Sequence, residues 1–177
     1  MRSPFYSVKK TLLNQWQEPY FLLLSIGLIV SRFQGNKALR QGKLTQNAQS
    51  GIILSTLGFG IFIAGPWLLS QFSCDASLNY IPYYLSSILI GFGNGHMWPA
   101  FQTMFINLAP NSQRGTANST QLTAWDVGMG LGIILGGFFS ETWGYGSAFW
   151  LAFAVNACGV VFFFSYARNH FIKHKLR

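Results

Sequence analysis

One carboxylate stands inside a long uncharged run. Asp126 lies about ten residues into the segment Thr116 to Phe139, hence about 15 Å deep if the segment is a helix. A carboxylate at that depth in a bilayer costs about 2.5–3.5 kcal/mol on insertion scales. Such a group either titrates with protons or contacts a substrate, or it is bonded to a neighbouring helix. The residue type and its position support both readings.

A second set of polar groups has helical spacing. Asn94, Trp98 and Gln102 fall at i, i+4 and i+8, so they share one helix face. Gln121 and Trp125 share a face on the following segment. Amides on a bundle-facing stripe can line a cavity, and aromatics beside them can stack on a substrate. The same stripe could instead supply hydrogen bonds between helices. His96 lies two residues from Asn94 and points elsewhere, as a packing residue would. No second His or carboxylate sits at metal spacing, so neither a metal nor another cofactor is expected. Ser, His and Asp occur, but in no nucleophile elbow or metal motif. An enzyme is not expected.

The glycines suggest packing. Gly128, Gly132 and Gly136 recur every four residues and form a small-xxx-small ridge, which lets backbones approach closely. Gly91 and Gly95 make a shorter version. The run Gly91-x-Gly93-x-Gly95 follows no strand and lacks the later glycine and acidic partner of a dinucleotide fingerprint. Pro99, in mid-segment, is placed to bend its helix.

Composition fixes the solvent. Of 177 residues, 50% are hydrophobic and 9% charged, against roughly 25% charged in soluble proteins. Such a chain cannot cover a water-facing surface, so its partner is the lipid bilayer. The net charge of +8 does not point to nucleic acid. The basic residues sit between and after apolar runs, with no basic face interleaved with exposed aromatics. Cys74 and Cys158 have no redox or metal spacing. Met1 to Glu18 has too short an apolar stretch for a signal peptide.

The elements follow from hydropathy. After a polar, basic segment at 1–19, helices are expected at about 20–31, 48–69, 80–108, 116–139 and 148–166, with a basic tail at 167–177. The first apolar run, Tyr20 to Val30, is short against the roughly 20 residues a span needs. Arg32 to Gln46 reads as a basic loop, Ser70 to Asn79 as an acidic one, and Ala109 to Gly115 as a turn carrying Arg114. Lys and Arg therefore mark one side of the membrane, expected to be the cytoplasm, with the tail on it. Carried back through the first run, this alternation puts Lys9 and Lys10 outside. Either that run does not span alone or an upstream helix is missing.

The stretch Gly91 to Gly137 resembles the C-terminal half of a major facilitator superfamily transporter. Gly91, Gly93, Gly95 and Pro99 match the pattern of its tenth helix. Pro110, Arg114 and Gly115 match the cytoplasmic turn, and Asp126, Gly128 and Gly132 the eleventh helix. Ser31-Arg32 with Gly35 and Gly42 is similar to the cytoplasmic loop between helices eight and nine, but lacks the acidic residue often found there. The likeness covers about Tyr20 to Tyr166. It implies an all-α membrane fold of four full spans plus one short segment. It also implies alternating access for a small molecule, by proton-coupled efflux at the plasma (inner) membrane. Members have about twelve helices in two halves, so a separately encoded N-terminal half is an expected partner. The alternatives are a truncated, non-transporting remnant and an accessory membrane subunit.

Overall fold

The computed structural model describes residues 17–71 and 80–176. Among them there is no strand. The helices are α1 (Gln17–Arg40), α2 (Leu44–Gln71), α3 (Tyr80–Leu108), α4 (Arg114–Trp143), α5 (Tyr145–Phe162) and α6 (Arg168–His174). The N-terminal basic segment and the loop carrying Cys74 and Asp75 lie outside the described residues.

Helix α1 runs beyond the apolar stretch that marks it. Hydropathy reports where a helix meets an apolar environment, not where its backbone stops. Residues 32–40 contain no proline, so the helix continues through the basic stretch. It ends before Gly42, whose φ of +72° is the left-handed geometry that closes a helix. Only three residues then separate α1 from α2.

Among the described residues, three helical stretches are long and apolar enough to cross a membrane: Leu44–Leu69, Asn111–Trp143 and Tyr145–His174. Helix α3 has 29 residues but falls short in hydropathy, because it is the centre of the bundle. The sides it turns to α1 and α2 face protein, where small residues are worth more than apolar bulk. The three glycines alternate between two neighbours. A Cβ on Gly91 would strike the Leu24 carbonyl of α1, and one on Gly95 would strike Ser31 Oγ. A Cβ on Gly93 would lie 2.7 Å from the Gly51 carbonyl oxygen of α2. Gly27 and Gly51 do the same from the other side: a Cβ there would lie 2.7 Å from the Ile88 carbonyl oxygen or the Met97 backbone nitrogen of α3.

The two ends of the bundle differ in chemistry. At one end lie the α1–α2 and α3–α4 connections and the C-terminal tail. Leu44, Ala48 and Ile52 of α2 pack there with Ala100 and Met104 of α3, Phe163 and Phe171. The Leu176 N–H donates to the Asn107 carbonyl at 3.0 Å, pinning the tail beneath α3. A π-helical turn, Phe163–Ala167, joins α5 to α6. On an unbroken helix Phe163 and Phe171 would stand about 80° apart; the extra residue brings them to about the same face. Arg32, Lys43, Arg114, Arg168, Lys173 and Lys175 all belong to this end. Glu18 and Glu141 belong to the other, where Tyr20, Tyr83, Phe62 and Phe149 link α1, α3, α2 and α5 through ring contacts of 4.6–5.9 Å.

Helix α4 is the outlying element. It is tied to α5 through Gly144, whose φ of +84° and ψ of 164° suit glycine alone. Gln121 is its single buried residue.

Candidate functional site

The α3–α4 hairpin turns at Pro110 and a 3₁₀ turn, Asn111–Gln113, so the two helices run antiparallel. Residues whose numbers sum to about the same value therefore face each other. The Trp98 and Trp125 rings meet edge to face, centroids 4.7 Å apart and planes at 77°. One turn nearer the connection, Gln102 Nε2 donates to Asn118 Oδ1 at 3.2 Å. Gln121 lies between these contacts and is 7% exposed. Its Oε1 is shielded and accepts no hydrogen bond from any described residue. An orphaned acceptor of this kind costs about 1–3 kcal/mol. Asn94, half-buried one turn beyond Trp98, makes no side-chain hydrogen bond among the described residues.

The expected stripe is thus assembled for Trp98, Gln102, Gln121 and Trp125. Asn118 belongs to it and was missed. It lies three residues before Gln121 and seven before Trp125, so extending the stripe by one turn would have found it. Asp126 stands apart. It is exposed, turned about 100° away from Trp125 by the helical step.

The glycine ridge of α4 is open. A Cβ at Gly128, Gly132 or Gly136 would meet nothing within 4 Å. Gly115 is open as well. Arg114 keeps its Nε shielded with no partner among the described residues, while Arg32 is exposed. Pro99 is half-buried, and α3 runs through it as one helix; the Thr103 hydroxyl donates to its carbonyl at 2.8 Å.

His96 is buried, with Nδ1 3.0 Å from the Phe92 carbonyl oxygen. Its own carbonyl accepts from Asn47 Nδ2 at 3.2 Å. This is a packing role. Among the described residues, no group of three or more His, Cys, Asp or Glu could hold a metal. A further pair was also missed: the Thr56 hydroxyl donates to Asn156 Oδ1 at 2.8 Å, joining α2 to α5. Asn156 is the one amide in the run Ala148 to Tyr166, which is signal enough to have marked it.

Chemically, the α3–α4 contact offers amide donors and acceptors beside two indoles, with no charge of its own. It can hold an uncharged polar or aromatic group. The residues gathered there include no nucleophile paired with a base. The family model of the Major Facilitator Superfamily matches residues 47–176, which takes in α2 through the tail. The chain belongs to the Major Facilitator Superfamily. No curated protein and no solved structure matches it. As a major facilitator chain it is an integral membrane protein of the transporter type, and its long apolar helices accord with that. Helix α1 precedes the matched region, yet its Leu24, Leu28 and Ser31 seat the two outer glycines of α3.

Proposed function

We propose that this chain forms the C-terminal part of a small-molecule transporter working by alternating access. The α3–α4 stripe lines its pathway and Asp126 is its coupling group. The observation that carries this reading is the state of α4. It buries one polar residue against α3 and leaves Asp126 and a glycine ridge uncovered. The ridge continues the face of Gln121 and Trp125, and Asp126 lies about 80–160° round the helix from it. An uncovered carboxylate and an uncovered small-residue ridge on a membrane helix fit contact with another transporter half. That half is the proposed partner. Protons are the proposed coupling ion, because Asp126 is the one carboxylate inside the otherwise uncharged run Thr116 to Phe139. Efflux, the plasma (inner) membrane and a cytoplasmic tail complete the proposal. The last rests on the concentration of Lys and Arg at one end of the bundle.

A competing reading has support in the Gln102–Asn118 bond. Amides that satisfy each other across two helices glue them together without a ligand. On that reading the chain is an accessory subunit or a non-transporting remnant. Reconstitution of the chain with its N-terminal half into proton-gradient vesicles separates the two. Substrate flux abolished by Gln121→Leu, with assembly intact, supports the pathway. Flux unchanged by that substitution assigns the stripe to packing.

A further inference from the structure

We propose that the cleft between α2, α3 and α5 binds an uncharged, single-tailed amphiphile from the bilayer, with its hydroxyl or carbonyl head at Asn156. Two cavities meet at Thr56. One, of about 210 Å³, is lined by the polar groups of Ser55, Thr56 and Asn156 together with Phe101 and Phe163. The other, of about 640 Å³, runs from Thr56 along α2 past Leu57, Ile61 and Leu68 and is walled by Leu85 and Phe153. Its size lies within the roughly 300–1,000 Å³ of small-molecule sites, which pair apolar walls with a few placed polar groups.

The polar end defines the head. The Thr56 hydroxyl donates to Asn156 Oδ1 at 2.8 Å, so that oxygen is engaged. Asn156 Nδ2 carries two N–H donors, and these reach no acceptor among the described residues. Inside a bilayer an unpaired amide N–H is costly, so an acceptor brought by a ligand would be bound there. No charged residue lines either cavity. Thr56 lies about 18 Å along α2 from its start at Leu44. An ionic headgroup has neither a countercharge nor water at that depth. A hydroxyl or carbonyl oxygen needs neither. One groove leading to one polar cluster calls for one tail and one head.

This site is separate from the tryptophan stripe. Met97 and Phe101 of α3 line it, whereas Trp98 and Gln102 look toward α4. The inference therefore does not depend on the transport reading.

The test uses the full chain in phosphatidylcholine vesicles and hexadecanol carrying a mid-chain diazirine. After photolysis, labelled peptides are mapped by mass spectrometry. Labelling is expected to concentrate on the α2 and α5 segments around Leu57–Leu68 and Phe153. Excess hexadecanol should compete for it, and hexadecane, which has the tail without the head, should not. Asn156→Leu is expected to cut the competable labelling about tenfold, as the loss of one or two hydrogen bonds would. Gly60→Leu tests the groove without touching the polar end. A Cβ there already lies at ordinary contact distance, 3.5 Å, from Phe153, so the longer side chain should fill the groove and displace the tail. Labelling spread evenly over every lipid-facing helix overturns the proposal, as does hexadecane competing as well as hexadecanol. Should Asn156→Leu misfold, Gly60→Leu decides: with its helical content unchanged, undiminished labelling also overturns the site.

Discussion

Trp98 and Trp125 meet edge to face across the α3–α4 hairpin, with ring centroids 4.7 Å apart. They hold the outlying helix against the bundle where little else does, since Gln121 is the only residue that α4 buries. Edge-to-face aromatic pairs contribute about 0.5–1.5 kcal/mol beyond the area they cover. A double-mutant cycle with Trp98→Leu and Trp125→Leu, read from thermal unfolding in detergent, should return a coupling of about that size. Strict additivity would mean that the two rings adjoin without supporting each other.

The glycines divide into two classes that their spacing alone does not separate. Gly91→Ala should destabilise the chain by about 1–3 kcal/mol, because its Cβ would meet the Leu24 carbonyl and a backbone cannot turn aside. Gly132→Ala meets open space and removes backbone freedom from a helix, so it should be neutral or stabilising by up to about 1 kcal/mol. Circular dichroism melts of the two variants check both signs. Gly132→Leu adds the partner test. It should leave the isolated chain folded yet block assembly with an N-terminal half, read by co-purification.

Much of this could be read from the sequence. The regular positions of Trp98, Gln102, Gln121 and Trp125 placed them on facing stripes because helical period is a local property. The GxGxG run signalled close approach for the same reason. Two things were not legible. Helix α1 continues through Arg32 to Arg40 since polar residues form helices as readily as apolar ones, so hydropathy misplaced its end. Nor could spacing tell that Gly91 and Gly95 meet α1 while Gly93 meets α2 and Gly132 meets nothing. That depends on which helices surround α3, a long-range outcome.

The ends of the bundle make a topological prediction. The Leu176–Asn107 hydrogen bond sets the C-terminal tail at the same end as the α3–α4 connection. In a background with Cys74→Ser and Cys158→Ser, single cysteines can be placed by Gln113→Cys, Lys175→Cys and Glu141→Cys. A membrane-impermeant maleimide should label the first two from one side and the third from the other. The side shared by Gln113 and Lys175 should be the cytoplasmic one, by the placement of Lys and Arg. Labelling of Gln113→Cys and Lys175→Cys from opposite faces would contradict the pinned tail.

Asp126 gives the sharpest separation between packing and function. Its side chain is exposed in this chain, so Asp126→Asn removes a charge without removing an internal contact. The melting temperature of the chain should therefore stay within the small range typical of surface substitutions, about 0.5 kcal/mol in stability. Flux in the assembled transporter should behave differently. If the carboxylate carries the coupled proton, the variant loses gradient-driven accumulation across the pH range while substrate exchange, which needs no net proton movement, persists. A carboxylate that only contacts substrate would instead weaken exchange and accumulation together. Should both activities and their pH dependence match the native protein, Asp126 has no part in the pathway. Its exposed face would then belong to a packing interface. The two measurements, one on the chain and one on the assembly, keep a folding defect from being mistaken for a transport defect.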